Sequence, residues 1–418
     1  NYCTELQMDI IAKKLGMDPT ELKLKNHIRE GDTYYGQGPD IYSVIKSCGT
    51  EQLIREGRKW IDWDRPKSWT PDPDRPWIKR GLGMAIGNHT SGTSSAESKT
   101  PSHFMIDNSG AIMKMNTDGT MNLITPSAEM GTGALMVDVA VAAEAAGLKY
   151  EDIILVDSNT DIAPWDHGTM ASRHTFGMGN AVRDAGLTIR KKLIGLASRV
   201  LEIPEEELDV RLGNFVNKDK PEEVKASVSE VLEYAQSKNW GDILADSSVT
   251  SPSCPPHFVA TFFEVEVDTQ TGEVRVIKAF HSADVGTPIN PEAVKGQLLG
   301  GLHMGLGYAL VESVVYDPDD GRVLNNNFVD YKLLTPLDMP EDIELFLADT
   351  YEPDGPFGAK GIGEGAMNCV PSALANAVGN ALGVPMFESP MTPERILKAL
   401  AGKADEIDFP ELPGPGNS

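Results

Sequence analysis

Glycines next to small polar residues stand where helices are predicted to begin, and this pattern constrains the fold more than any other feature of the sequence. The densest run is residues 358–365, Gly-Ala-Lys-Gly-Ile-Gly-Glu-Gly, which precedes a helix predicted over residues 371–381. Glycine relaxes the backbone, so a bulky group can approach Glu364 closely. A desolvated Glu in such a place can act as a general base. The octapeptide by itself favours the simpler interpretation of an exposed loop Glu, because Glu is usually a surface residue.

Three other segments also place glycines next to small polar residues at a predicted helix start. Residues 129–133 (Glu-Met-Gly-Thr-Gly) precede a helix predicted over 134–146, and residues 168–175 (Gly-Thr-Met-Ala-Ser-Arg-His-Thr) precede a long amphipathic helix. Residues 284–291 (Asp-Val-Gly-Thr-Pro-Ile-Asn-Pro) open a helix that runs to about Leu310. Backbone N–H groups at helix starts, together with Ser and Thr hydroxyls, bind phosphate oxygens. Three such starts suit one large anionic cofactor, although each alone is also explained as an ordinary helix cap. None matches a Walker loop or a Rossmann fingerprint.

The helix predicted after Asn290 is unusually rich in glycine. Five glycines lie inside it, and each costs up to about 1 kcal/mol relative to Ala. A helix that accepts this cost normally packs closely against another group. That group is either another backbone or a cofactor, and the sequence leaves both open. Gln297 could offer its amide to a buried polar ligand.

Bulk properties exclude several classes of protein. The 418 residues are long enough for two or three domains. A formal net charge of -25 argues against a nucleic-acid binder and against a protein of anionic membranes. The four cysteines are isolated, so we expect no iron–sulfur cluster on this chain and a reducing, cytoplasmic compartment. No apolar run reaches the length of a membrane span, and residues 1–7 do not resemble a signal peptide.

Helical and strand patterns are interleaved without regular alternation, which predicts an α+β fold. Short strands are expected at 111–115, 121–124 and 153–156, a hairpin over 262–279, and a strand over 342–347. Residues 202–248 are predicted to be peripheral. His89, in the run Gly-Asn-His-Thr-Ser-Gly, fits a structural histidine better than a substrate contact, but both stay open.

Taken together, these segments resemble the molybdenum-binding large subunit of the xanthine dehydrogenase/aldehyde oxidase family. The resemblance covers most of the chain, and its pieces occur in the family's order. They are residues 8–9 with 12–19 and Asn26, residues 80–83 (Arg-Gly-Leu-Gly), 117–119 (Thr-Asp-Gly), 129–133, 168–173, 284–286 with 290–291 and 296–297, and 361–364 (Gly-Ile-Gly-Glu).

The resemblance implies the C-terminal portion of a subunit split into two polypeptides. The family's Gly-Gly-Phe-Gly-Gly-Lys motif and the Arg-Gly-Phe-Gly-type motif before the Met-Asp helix are absent. Residues 1–76 would complete the first molybdopterin-binding domain. Residues 77–408 would form the second, with subdomains at about 77–248 and 249–408, followed by a loose tail at 409–418. Thr132 stands where many relatives have Gln, which puts a direct contact from this side chain to the pterin in doubt.

The resemblance also implies a function. Glu364 would be the base in the oxidative hydroxylation of an electron-poor carbon with water-derived oxygen. The metal would be held through the pterin dithiolene rather than by side chains. The expected cofactor-binding residues are Gly131, Thr132, Gly133, Thr169, Met170, Ala171, Ser172, Arg173, Thr175, Gln297, Gly361 and Gly363, with His174 as a further partner for phosphate.

The implied cofactor is a molybdopterin dinucleotide, expected in its cytosine form, with molybdenum. The [2Fe-2S] clusters and FAD would reside on partner chains, namely an iron–sulfur subunit and a flavin subunit, beside a complementary N-terminal molybdenum-subunit chain. An N-heterocycle such as a purine or nicotinate is the favoured substrate. Aldehydes and aromatic CoA thioesters remain alternatives, as does a non-catalytic scaffold subunit. No nucleic-acid partner and no membrane span are expected.

Overall fold

The computed structural model describes residues 1–35, 42–92, 107–156 and 158–402. Helices and short strands are interleaved, so the predicted α+β class is confirmed. The tail predicted at 409–418 lies outside the described residues. The helices are α1 (Tyr2–Leu15), α2 (Pro19–Asn26), α3 (Thr50–Trp60), α4 (Ala134–Ala146), α5 (His174–Leu201), α6 (Val228–Ser237), α7 (Pro291–Leu310), α8 (Gly365–Asn368), α9 (Val370–Leu382) and α10 (Pro393–Gly402).

The described strands form four sheets. They are β1 (Thr33–Tyr34), β2 (Ser43–Val44), β3 (Ser68–Trp69), β4 (Ile78–Thr90), β5 (Asn108–Met115), β6 (Met121–Ile124), β7 (Ile153–Val156), β8 (Leu208–Arg211), β9 (Asn214–Asn217), β10 (Val224–Ser227), β11 (Leu244–Thr250), β12 (Pro256–Asp268), β13 (Val274–Asp284) and β14 (Asp342–Leu347).

The largest sheet has the order β14-β13-β12-β4-β3. Strands β12 and β13 form the predicted hairpin, and β14 joins β13 in parallel. Strand β12 also pairs with β4 along its whole length, with His257 opposite His89. Helices α7 and α9 cover one face through a core that includes Phe263 and Leu302, and a second core around Trp63 and Phe262 covers the other face.

A second sheet, ordered β11-β5-β6-β7, packs against α4 and α5 around its own core. The predicted strands at 121–124 and 153–156 are confirmed, whereas the supposedly peripheral stretch 202–248 supplies the edge strand β11. The division into domains stays a prediction. The largest sheet joins the two expected subdomains, about 77–248 and 249–408, because β4 pairs with β12.

Local signals in the sequence explain several helix ends. Asp18 accepts a hydrogen bond from the backbone N–H of Thr20, with Pro19 in the first helical turn, as expected for the start of α2. Gly147 ends α4 in the left-handed conformation, at φ 76°. Within the described residues, no helix combines the length and the apolar character needed to span a bilayer.

The glycines of α7 divide into two groups. A Cβ on Gly301 would lie 2.5 Å from the Cβ of Ala366, and one on Gly305 would lie 2.5 Å from the Cβ of Val370. A Cβ on Gly296 or Gly300 would meet nothing within 4 Å. Through Gly301 and Gly305, one face of α7 therefore packs closely against α8 and α9. This contact fixes the segment that follows Glu364.

Candidate active site

A cavity of about 390 Å³ brings together the segments singled out by the sequence. It opens between the segment before α4, the segment before α5, helix α7 and the residues before α8. It is lined by Met130, Thr132, Ala134, Val137, Thr169, Met170, Ser172, His174, Thr175, Gln297, Met304, Gly361, Ile362, Gly363, Glu364 and Met367. A recess of about 50 Å³ shares Thr132, Thr175 and Gln297 with it and reaches Asn290 at the start of α7.

Size alone would not have selected this site. A larger groove of about 610 Å³ lies along β13, α7 and residues 334–342, and none of the predicted site residues lines it. The smaller cavity is favoured because hydroxyl groups, an amide and a carboxylate converge on it. Ligand sites combine an apolar lining with a few placed polar groups in this way.

Glu364 stands at the N-terminal boundary of α8, partly open to the cavity. The hydroxyl of Ser172 donates to Glu364 Oε2, and the backbone N–H of Glu364 donates to Ser172 Oγ over 3.0 Å. Partial burial raises the pKa of Glu364, but the hydrogen bond from Ser172, backbone hydrogen bonds and the nearby His89 outweigh it, so the net pKa is lowered. The Ser172 hydroxyl thus stabilises the charged form of the carboxylate against the effect of burial.

Ser172 is presented by a strained turn. Ala171 and Ser172 both have positive φ, 48° and 53°, a region that residues other than glycine rarely occupy. A Cβ on Gly361 would lie 1.8 Å from the carbonyl oxygen of Ser172, so the two segments touch backbone to backbone. Strain of this kind is typical of functional sites, where the surrounding structure enforces it. Ala171 itself does not line the cavity.

Arg173 holds the turn at Ala171 and Ser172 in place through buried contacts. Its guanidinium is fully buried and forms ion pairs with Asp107 and Asp166. Its remaining donors reach the carbonyl oxygens of Gly168 and Asn108 and the hydroxyl of Ser109. A guanidinium has five N–H donors, and all of them are used inside the chain. In this structure its donors hold the loop in place, and the contact of Arg173 with a cofactor stays a prediction.

His174, at the start of α5, lines the cavity. Its Nε2 lies 3.1 Å from Oδ1 of the buried Asp138. Burial lowers the pKa of His174, but the attraction of Asp138 outweighs it and the net pKa is raised. A protonated imidazole at this position would add positive charge to the helix start, which fits an anionic ligand.

The backbone of the segment before α4 is already occupied. The N–H groups of Gly131 and Gly133 donate to Glu129 Oε1 over 2.8 and 2.9 Å, and that of Leu135 donates to Oε2 over 3.3 Å. In this structure the Glu129 carboxylate accepts from the amides of Gly131 and Gly133, and their contact with a cofactor stays a prediction. The side chain of Thr132 still lines the cavity.

A buried ion pair anchors the segment that carries Glu364. Lys360 Nζ lies 2.8 Å from Asp284 Oδ2, and both side chains are fully buried. Asp284 also accepts from the backbone N–H of Gly49 and from the Thr350 hydroxyl. Burial raises the pKa of Asp284, but Lys360 and the hydrogen bonds outweigh it and the net pKa is lowered. Sequence reasoning noticed the segment around Asp284 but not this pair, since Lys360 lies 76 residues away.

The apolar part of the lining was also missed. Met130, Met304, Met367, Val137 and Ile362 contribute side chains whose types carry no functional signal in the sequence. Only their nearness to the glycine-rich segments could have drawn attention to them. Methionine adapts its shape easily, so this wall suits a flat, partly apolar ligand.

The polar lining fits an oxygen-rich anionic cofactor. Hydroxyls of Thr132, Thr169, Ser172 and Thr175 and the amide of Gln297 line one volume. Helix α5, 28 residues long, begins at this cavity and has no side-chain cap. The N-terminus of a helix carries partial positive charge and free N–H groups, which favour phosphate.

Comparisons with known proteins give the family. The family model described as a molybdopterin cofactor-binding domain matches residues 56–340. The xanthine dehydrogenase molybdenum-binding subunit of Escherichia coli O157:H7 is 32% identical over 398 residues, which cover 94% of this chain and 51% of that protein. The aldehyde oxidoreductase of Megalodesulfovibrio gigas is 30% identical over 96% of this chain and 40% of its own length.

Solved structures agree with the fold. Quinoline 2-oxidoreductase from Pseudomonas putida 86 superimposes with a TM-score of 0.81 at 25% identity, covering 95% of this chain and 51% of that chain. The chain thus spans about half the length of the curated relatives it matches, 51% and 40% for the two named above. Because the cofactor-binding family model covers well over half of its residues, this protein belongs to the molybdopterin cofactor-binding domain family, in the group of molybdenum-binding large subunits of the xanthine dehydrogenase family.

Proposed function

We propose that this chain is the catalytic part of a molybdenum hydroxylase, which oxidatively hydroxylates an electron-poor carbon with water-derived oxygen and passes the electrons to an iron–sulfur partner. One observation carries the proposal. Glu364, predicted as the base, lines the same cavity as Thr132, Thr169, Ser172 and Gln297, predicted to bind the cofactor.

The side chains that would hold the cofactor follow from the lining. Thr132, Thr169 and Thr175 would bind its oxygens through their hydroxyls, and Gln297 through its amide. Ser172, whose hydroxyl holds Glu364, would line the cofactor, and Met170 would contribute apolar contact. Gly361 and Gly363 would also line it, and their missing side chains make room for the turn at Ser172. When bound, the molybdenum held by the pterin dithiolene would supply two-electron redox chemistry and oxygen transfer. We assign the dinucleotide as the cytosine form on the family resemblance.

Glu364 would accept the proton released during hydroxylation. Its lowered pKa keeps the carboxylate ionised at neutral pH, so it can take up a proton without first losing one. The glycines on either side let the chain pack closely against Ser172 and His257, and contact with Ser172 fixes the carboxylate. Binding of a cofactor and substrate would remove water from its open side, which would raise the pKa and strengthen the base.

An N-heterocycle such as a purine or nicotinate is the proposed substrate. Relatives named for xanthine and for quinoline act on compounds of this class, which supports it. The relative named aldehyde oxidoreductase supports the second candidate, an aldehyde. An aromatic CoA thioester is the third.

Partner chains are part of the proposal. The relatives are about twice as long, which supports a complementary molybdenum-subunit chain. The four cysteines have no cluster spacing, so the electrons would leave through an iron–sulfur subunit and a flavin subunit that binds FAD. The cysteines are all free, which supports a cytoplasmic location.

Replacement of the base tests the function. Glu364→Gln in the assembled complex should lower turnover of a heterocycle by at least about a hundredfold, the lower end of what a general base contributes. Molybdenum content should stay at the wild-type value, because Gln keeps the size of the side chain. Glu233→Gln on exposed α6 is the matched control and should leave turnover unchanged.

Two results would contradict the proposal. Near-wild-type turnover of Glu364→Gln would remove the assigned base. Absence of molybdenum and pterin from the purified complex would favour a non-catalytic scaffold. A panel of heterocycles, aldehydes and CoA thioesters, assayed with the same complex, would decide between the substrate classes.

A further inference from the structure

Three hydrogen-bonding groups meet at one hydroxyl beside Glu364. Ser172 Oγ lies 3.4 Å from Nδ1 of His89, accepts the backbone N–H of Glu364 over 3.0 Å, and contacts Glu364 Oε2. His89 comes from β4, Ser172 from the strained turn before α5, and Glu364 from the boundary of α8. Residues far apart in the sequence therefore form one array.

The direction of each hydrogen bond follows from the chemistry of the groups. His89 Nδ1 lies 3.2 Å from the carbonyl oxygen of Thr90, which can only accept, so Nδ1 carries the imidazole proton. The same N–H then donates a second, weaker hydrogen bond to Ser172 Oγ. A hydroxyl has two lone pairs and one proton. Both lone pairs of Ser172 are taken by N–H donors, so its proton is left for Glu364 Oε2.

The Ser172 hydroxyl thereby fixes one oxygen of the Glu364 carboxylate, Oε2. We propose that Ser172 and His89 are positioning residues that hold the Glu364 carboxylate through Oε2 while it accepts the proton during turnover. This inference rests on the proposed function of Glu364 as the base.

The other titratable groups around the site do not replace this array. His174 is bonded to Asp138. Lys360 is bonded to Asp284. His257, opposite His89 on β12, is buried against Gly365, and neither of its ring nitrogens is hydrogen-bonded to a described residue. Burial lowers the pKa of His257 to about 3, so it stays neutral in the working pH range.

Substitution of His89 tests the inference. His89→Phe keeps a ring but removes the donor, whereas His89→Asn keeps a donor near the position of Nδ1. The Phe variant should shift the acidic limb of the pH profile of kcat upward by about one pH unit, the size expected when one hydrogen bond to a charged network is lost. The Asn variant should restore most of the wild-type profile.

A second readout does not depend on turnover. The carboxyl band of Glu364, identified by its loss in Glu364→Gln, can be titrated by infrared difference spectroscopy of the purified complex. The pKa of this carboxyl should rise in His89→Phe and in Ser172→Ala and stay near the wild-type value in His89→Asn. His303→Phe is the matched control, since His303 also bonds a carbonyl oxygen, that of Leu334, but does not line the cavity.

The outcomes separate this inference from the proposed function. An inactive Glu364→Gln together with an unshifted His89→Phe would overturn the array and keep Glu364 as the base. Equal shifts in His89→Phe and His89→Asn would also overturn it, because packing rather than the donor would then be responsible. If His89→Phe does not fold, Ser172→Ala gives the same test through the middle member of the array.

Discussion

At the scale of single residues, Lys360 and Asp284 show how a buried ion pair fixes the segment that carries Glu364. Both side chains are fully buried, and Lys360 lies four residues before Glu364. Lys360→Met should lower the free energy of unfolding by about 3–5 kcal/mol, because it leaves Asp284 buried without its counter-charge. Equilibrium unfolding in urea measures this loss.

Two variants control for the loss of a lysine. Lys278→Met removes a partner of Asp342 from a pair whose side chains are 39% and 50% exposed, and should cost no more than about 1 kcal/mol. The double variant Lys360→Met/Asp284→Asn should cost less than the two single changes added together. Equal effects of Lys360→Met and Lys278→Met would show that the buried pair does not anchor the segment.

At the scale of elements, α7 offers neighbouring glycines in opposite environments. A Cβ on Gly301 would come within 2.6 Å of the backbone carbon of Ala366, whereas one on Gly300 would meet nothing within 4 Å. Gly301→Ala should therefore push α7 away from α8 and destabilise the protein by about 1–3 kcal/mol. Gly300→Ala should stabilise it by roughly 0.5–1 kcal/mol, through the higher helix propensity of Ala.

Thermal unfolding of the two variants measures these changes in stability, which should have opposite signs. Gly301→Ala should also lower turnover, because α8 begins directly after Glu364. A stabilising effect of Gly301→Ala would mean that α7 and α8 do not pack as closely as the structure shows.

At the scale of the whole molecule, two buried histidines link stability to pH. Burial lowers the pKa of His281 to about 4 and, with the repulsion of His89 and Lys360, that of His257 to about 3. In the unfolded chain both titrate near pH 6.5. Below that pH the unfolded state takes up protons that the folded state refuses, so stability falls as pH decreases toward 4.

Each of these histidines should contribute a loss of about 1.4 kcal/mol per pH unit between roughly pH 6 and pH 4. His281→Asn keeps a hydrogen-bonding partner for Thr261 but removes the titration. As the pH decreases from about 6 to 4, the unfolding free energy of the wild type should therefore fall by about 1.4 kcal/mol per pH unit relative to that of the variant. Urea unfolding at several pH values measures it. A difference that does not depend on pH would contradict the prediction.

Much of the fold follows from local signals. The helix over residues 134–146 ends at Gly147, the start of α2 is fixed by Asp18 and Pro19, and the strands at 121–124 and 153–156 lie where alternation and apolar runs place them. These signals act between neighbours in the chain, where helix caps, turn residues and hydrophobic periodicity have direct physical effects. The edge strand β11 carried no such signal, because its pairing with β5 was decided by a distant partner.

The sequence by itself determined the family-like order of the motifs and the polar residues that the cavity gathers, Glu364 among them. Only the tertiary structure decided what each residue does there. It bound Arg173 to buried carboxylates, gave the amides of Gly131 and Gly133 to Glu129, and lowered the pKa of Glu364 through Ser172. The reason is physical: charge, burial and hydrogen bonding depend on which groups meet in space, and Arg173 and Asp107 lie 66 residues apart, while Ser172 and Glu364 lie 192 residues apart.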